Sequence, residues 1–175
     1  MNLWTMDKTR YGEGAGFTNS HAVRFLFFLR RSASGRNIVS RLILKSMSRR
    51  YGLEVSRNTA IGGGLYLGHA YGITVNPEAR IGENCNLHKG VTLGQENRGN
   101  RKGAPTLGDR VWVGVNATVV GAVNIGSDVL IAPNSYVNRD VPPHSVVFGN
   151  PCVIKPREDA TEGYINRLAG TGARP

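Results

Sequence analysis

Acidic side chains are scarce in this chain of 175 residues: 12 Asp and Glu stand against 22 Lys and Arg, a formal net charge of +10. Cysteine is scarcer still, with only Cys85 and Cys152, too few for the disulfide framework that staples small secreted domains. Aromatic residues make up 7%, and no aromatic stacking pattern or recognition motif accompanies the charge, so nucleic acid is the weakest candidate partner. Long apolar runs are missing too. The longest, Phe25 to Leu29, is far below the roughly 20 residues that span a bilayer, and the opening residues lack the apolar stretch of a signal peptide. These absences predict one compact cytoplasmic domain, large enough to bury about 70% of its unfolded surface.

What the chain does have is a beat of six. Aliphatic residues fall at Val55, Ile61, Leu67 and Ile73, then after a two-residue slip at Val75, Ile81, Leu87 and Leu93, and after a break at Leu107, Val113, Val119, Ile125, Ile131 and Val137. A small residue follows most of them: Gly62, Gly68, Gly82, Gly94, Gly108, Gly114, Gly126 and Ala132. Neither the helix period of 3.6 nor the strand period of 2 gives this spacing; a short strand plus a corner does. Fixed short repeats specify a solenoid, in which each unit buries little alone and gains stability by stacking. A second inward position four residues on holds Cys85, Val91, Val111, Ala117, Val123 and Val129, which makes Cys85 a buried apolar thiol.

Much of the positive charge precedes the repeats, at Arg24, Arg30, Arg31, Arg36, Arg41, Lys45, Arg49 and Arg50. The apolar residues between them are spaced for two short amphipathic helices around a turn at residues 32–36. Their apolar faces are expected to cover the open end of the solenoid, where strand edges lack partners. The charge also suits an acidic substrate or peripheral contact with a membrane surface.

Chemistry is expected where the beat fails. Between Leu93 and Leu107 the interval is fourteen residues where two beats would give twelve, and the intervening segment is polar and glycine-rich, an excursion from the coil. Arg98, Arg101 and Lys102 give it a positive face for an anionic ligand. His69 stands at an outward position of its unit, and His88 follows nineteen residues later; allowing for the slip, the two should meet near one edge, one coil apart. Histidine titrates near neutrality and serves as general base when a hydroxyl must lose its proton. His21 and His144 read as a helix-flanking and a turn residue.

The residues themselves carry a resemblance. Leu67-Gly68-His69-Ala70-Tyr71-Gly72-Ile73, Ala79-Arg80-Ile81-Gly82, Gly90-Val91-Thr92-Leu93-Gly94, the glycine-rich loop, and the run from Val141 to Pro151 together resemble the serine acetyltransferase group of hexapeptide-repeat acyltransferases, over roughly Ile38 to Pro156. The resemblance implies an all-β solenoid, a left-handed parallel β-helix, assembled as a homotrimer with acetyl-CoA bound between subunits. It divides the chain into a basic helical segment (1–52), the β-helix (53–141, with loop 94–106) and a closing segment and tail (142–175). It makes His69 the catalytic base of direct acetyl transfer, with Glu54 where the family has an aspartate that orients this histidine. Lys155 matches a basic position that meets CoA phosphate, and Gly114 and Ala132 lie on the flat that receives the pantetheine arm.

Departures from the family pattern bear on the acceptor. Serine acetyltransferases carry Asp-Arg-His-Pro out of the loop, where this chain has Lys102-Gly103-Ala104-Pro105, and an aspartate before the catalytic histidine, where it has Gly68. Groups that pair the ammonium and carboxylate of an amino acid are thereby lost, although His88 can supply an imidazole from the next coil. The expectation is an O-acetyltransferase acting on a saccharide hydroxyl, as in the members that decorate polysaccharides, with serine O-acetylation of cysteine biosynthesis as the alternative. A solenoid that only binds is a third possibility. β-Helix carbonic anhydrases place two zinc histidines five residues apart on one coil; no such pair exists here, so no metal is expected.

Overall fold

The computed structural model describes residues 1–33, 35 and 37–170; Arg36 lies outside them. Three helices, α1 (Leu3–Thr9), α2 (His21–Ala33) and α3 (Ile38–Tyr51), precede the repeats. Asn37 caps α3 through its side chain, and Gly52, in the left-handed region at φ 65°, ends it, the usual device for stopping a helix. The chain then winds in triangular coils. The first holds β1 (Glu54–Val55), β2 (Ala60–Ile61) and β3 (Tyr66–Gly68); the second β4 (Thr74–Val75), β5 (Arg80–Ile81) and β6 (Asn86–His88). The third holds β7 (Thr92–Gly94), β8 (Thr106–Leu107) and β9 (Val111–Val113); the fourth β10 (Thr118–Val120), β11 (Asn124–Ile125) and β12 (Val129–Ile131). A shorter fifth has β13 (Tyr136–Val137) and β14 (Ser145–Phe148), and β15 (Val153–Pro156) folds back on it.

Strands from successive coils stack in parallel into three sheets: β1-β4-β7-β10-β13, β2-β5-β8-β11, and β3-β6-β9-β12-β14, the last closed by antiparallel β15. We call these sheets A, B and C. The aliphatic beat is the core: thirteen of its fourteen residues are buried and Ile61 packs against the rest, with all six residues of the second inward set among them. Cys85 is fully buried, and burial pushes its thiol up to about 12.

Register locates both interruptions. Glu54 pairs with Thr74, Ala60 with Arg80 and Tyr66 with Asn86, so the first coil takes twenty residues, and its two extra fall between β3 and β4. Thr92 pairs with Thr118 twenty-six residues on, against eighteen for Thr118 and Tyr136. The excursion after Leu93 is therefore an insertion of eight residues into a single corner, not two added to two beats as the spacing suggested. The polar run leaves no aliphatic to mark where the corner is, so counting beats through it overstates the coil. The parallel strands continue to β14, past residue 141.

The small residues fall into distinct columns. Gly62, Gly82, Gly108 and Gly126 stack at the corner between sheets B and C, and a Cβ on Gly82 would lie 2.5 Å from the backbone of Gly108. Coils separated by one strand spacing leave no room there for a side chain. Gly82→Ala is expected to cost about 1–3 kcal/mol through overpacking, measured as a lowered urea midpoint with unchanged slope.

The basic segment covers the open end as expected, though the apolar faces do only part of it. Phe25, Leu26, Leu29, Leu44 and Met47 join the core. The first coil's backbone groups are satisfied by polar side chains: the Leu65 N–H donates to Asp7 at 2.9 Å, Arg10 donates to Gly64 O at 2.8 Å, and Arg30 donates to Ile61 O and Gly62 O at 2.7 and 2.6 Å. Arg30 also holds Asp7 at 2.8 and 3.0 Å. At the other end, Asp128 accepts from Ala160 N, Thr161 N, the Thr161 hydroxyl and His144. From there the tail runs back along sheet C: Tyr164 O meets Asn86, Asn166 O meets Arg10, and Ala169 exchanges two hydrogen bonds with Asn84.

Candidate active site

The two extra residues of the first coil create a bulged corner at residues 69–73, and His69 opens it. The equivalent corners of later coils turn on one residue of positive φ each: Gly90 at 73°, Asn116 at 57° and Asn134 at 59°. The bulged corner has two, Gly72 at 62° and His69 at 50°. A non-glycine residue held there stores strain, which concentrates at functional sites. The His69 ring is exposed and makes no hydrogen bond among the described residues. The backbone on either side of it is held instead. His21 Nε2 lies 3.0 Å from Ala70 O, which assigns the proton to that nitrogen, and the His21 ring stacks on Tyr51 at 4.5 Å and contacts Tyr71 at 4.7 Å. On the preceding strand, the Leu67 N–H donates to the Tyr11 hydroxyl at 2.8 Å. Reading His21 as merely helix-flanking missed this; helical spacing alone carries no sign of it.

His88 sits where the spacing expected. It is the register partner of Gly68, next to His69. The ring lies between Trp112, with centroids 4.6 Å apart, and Tyr66, at 6.3 Å. It also explains Gly68, because a Cβ there would lie 2.3 Å from His88 Nδ1. The residue that breaks the family pattern makes room for an imidazole. Nε2 is buried without a hydrogen-bond partner among the described residues, and burial, then the neighbouring His69, lowers the His88 pKa to about 4. His88 is thus neutral at physiological pH, a hydrogen-bonding group rather than a cation.

A stability prediction follows. The unfolded chain protonates His88 near 6.5 and the folded chain only near 4, so between these values the unfolded state binds the extra proton. The contribution is complete above 6.5 and is lost as pH falls toward 4. Unfolding free energy measured across that window should decline in the parent and decline less steeply in His88→Leu.

The other candidates separate by corner. Gly114 and Ala132 follow β9 and β12 in register with His88, so Gly68, His88, Gly114 and Ala132 form one column along the edge of sheet C. At Gly114 a Cβ would strike Pro133 N at 2.7 Å and the Trp112 ring at 2.8 Å; its smallness already serves packing. Ala132 is half-exposed. Lys155, on β15, places Nζ 5.6 Å from the Phe148 ring, near the end of that column. Glu54 is exposed on β1, lining a groove of about 460 Å³ with Ser48, Thr74, Asn76 and Gly94. Its N–H donates to Ile73 O at 2.8 Å, which sets it against the end of the bulged corner, but no hydrogen bond or ion pair joins its carboxylate to His69 among the described residues.

The basic loop stands at another corner, between sheets A and B, whereas His69 stands between C and A. The loop is pinned by paired backbone bonds between Glu96 and Gly103 and by Arg101 donating to Glu96 at 3.0 Å. Arg98 and Lys102 are exposed and have no anionic partner among the described residues. Within one chain the loop and His69 are not brought together. No group of three or more metal-ligating side chains occurs among the described residues, and no helix among them is long and apolar enough to cross a membrane.

Residues 104–139 match the bacterial transferase hexapeptide (six repeats) family. The chain is 37% identical over 100 residues to a serine acetyltransferase of Mycobacterium tuberculosis, covering 57% of this chain and 44% of that protein. It is 32% identical over 146 residues to serine acetyltransferase 2 of Arabidopsis thaliana, covering 77% and 45%. Across these and similar relatives the chain spans between 34% and 64% of their length. Among solved structures, the serine acetyltransferase of Neisseria gonorrhoeae in complex with serine superposes with a TM-score of 0.74 at 29% identity, covering 87% of this chain and 67% of that one. Soybean serine acetyltransferase, at 24% identity and a TM-score of 0.74, has the same fold. The chain is a hexapeptide-repeat protein folded as the left-handed parallel β-helix of these acyltransferases, with serine acetyltransferases as its homologues.

Proposed function

We propose that this chain transfers an acetyl group from acetyl-CoA to an acceptor hydroxyl, and that the leading acceptor is serine. The relatives reverse the order set by the motif departures: proteins named serine acetyltransferase recur among them, and a structural neighbour at 29% identity holds serine. The observation that carries acyl transfer is the bulged corner, with an exposed imidazole held in a strained backbone at the head of a column of small residues. His69 takes the proton of the acceptor hydroxyl as its oxygen attacks the thioester carbonyl. The carbon–sulfur bond then breaks, and the thiol of CoA leaves with the proton returned by the imidazolium. Glu54 supplies the carboxylate that steadies that imidazolium. Ala132 and Gly114 flank the pantetheine arm, and Lys155 meets a CoA phosphate.

Because the basic loop and His69 occupy different corners, the complete site needs a second copy of the chain, in keeping with a homotrimer whose loops contribute Arg98, Arg101 and Lys102 to the neighbour's acceptor. Light scattering would then report a multiple of three chains of 18.9 kDa.

A saccharide acceptor is the second reading, favoured by one observation: next to His69 stands Gly68 overlaid by a neutral imidazole, so that this position offers no carboxylate to an ammonium group. Release of CoA thiol, followed with serine and with a panel of sugars, separates the two. Turnover of serine with sugars inert establishes the first; turnover of a sugar with serine inert replaces it.

A further inference from the structure

The outer face of α3 has no role in the fold or in the site. Leu44 and Met47 point into the core, but Ile38, Val39 and Leu42 are 57%, 60% and 60% exposed. On the same face Arg41, Lys45 and Arg49 recur every fourth residue, all exposed, and their side chains make no hydrogen bond or ion pair among the described residues. Arg57 extends the strip across a groove of about 380 Å³ lined by Ile38, Arg41, Leu42 and Lys45. From Gly14 to Leu53 the sequence contains eight basic residues and no Asp or Glu. The segment therefore cannot neutralise this face itself, and a second copy presenting the same face would meet like charge.

We infer that this face docks on an anionic lipid bilayer. The cations fit a negatively charged surface. The exposed aliphatic residues at the start of α3 select lipid over a soluble polyanion, since they gain by entering the boundary between headgroups and acyl chains, where an amphipathic helix lies flat. This is an attachment on the membrane, consistent with the lack of any spanning helix among the described residues. It does not depend on the acetyl-transfer reading.

The test is co-sedimentation of the full chain with vesicles of phosphatidylcholine containing about 30% phosphatidylglycerol, against phosphatidylcholine alone. Binding is expected to be at least about tenfold stronger to the anionic vesicles, and to fall in about 1 M salt, where the screening length is about 3 Å. Lys45→Glu with Arg49→Glu should abolish it. Val39→Ser with Leu42→Ser should weaken it about tenfold or more, with the melting temperature unchanged because both positions are exposed. No binding to anionic vesicles at low salt overturns the inference. So does vesicle binding that ignores the Val39 and Leu42 changes, which shows that the aliphatic residues do not enter the bilayer, or retention on heparin without vesicle binding, which identifies a soluble polyanion as the partner.

Discussion

His69→Asn is expected to lower the rate of acetyl transfer by about two to four orders of magnitude, with the melting temperature held within about 2 °C. Asparagine is the informative substitution because His69 sits at φ 50°, a region asparagine tolerates and alanine does not. The variant keeps the bulged corner while removing the base. His69→Ala would combine lost chemistry with added backbone strain, and its effect could not be assigned to either. Thiol release at saturating acetyl-CoA is the measurement, and the loss should fall on kcat, since the imidazole acts as the hydroxyl is deprotonated rather than when substrates bind. Unchanged turnover in His69→Asn would remove the imidazole from the chemistry and leave the strained corner without a catalytic purpose.

The second large effect concerns stability. Asp7→Ala should destabilise the fold by about 3–5 kcal/mol, the typical loss when one partner of a buried ion pair is removed. The Asp7 side chain is fully buried and that of Arg30 is 11% exposed. Removing the carboxylate strands the guanidinium and also leaves the Leu65 N–H without its acceptor. The double replacement Asp7→Leu with Arg30→Met should cost less than the single change, because no charge is then left buried. It should not reach zero, since Ile61 O and Gly62 O lose their donor. Urea unfolding of the two variants, with urea slopes compared to confirm a common unfolding transition, gives the comparison.

The β-helix was legible in the sequence because its rule is local and repeated: an aliphatic residue at every sixth position faces inward, and nearly every one does so in the structure. The placing of His88 one coil from His69 was legible for the same reason, as counting residues along a regular coil is counting distance. The size of the loop insertion was not, because a polar segment carries no beat. The polar covering of the first coil was hidden more deeply. Asp7, Arg10 and Tyr11 sit in a short opening stretch without periodicity, and their partners lie more than fifty residues away along the chain. His88 as the reason for Gly68 needed register at the level of single residues: in sequence Gly68 reads as a lost carboxylate, in space as room for a ring. The acceptor was weighted toward a saccharide on that account, since departures at Gly68 and at the three residues from Lys102 to Ala104 were set against a likeness aligned over 146 residues.

The tail that returns along sheet C joins the two ends of the chain, with Arg10 donating to Asn166 O. An open solenoid can lengthen by duplicating a repeat, since each coil touches only its neighbours. Here an extra coil would shift the last corner by one strand spacing, about 4.8 Å, and pull the tail out of its hydrogen bonds with Asn84, Asn86 and Arg10 at once. The clasp acts as a ruler. It fixes the number of coils, and it directs insertions in this protein toward corner loops, where length can change without altering the stack.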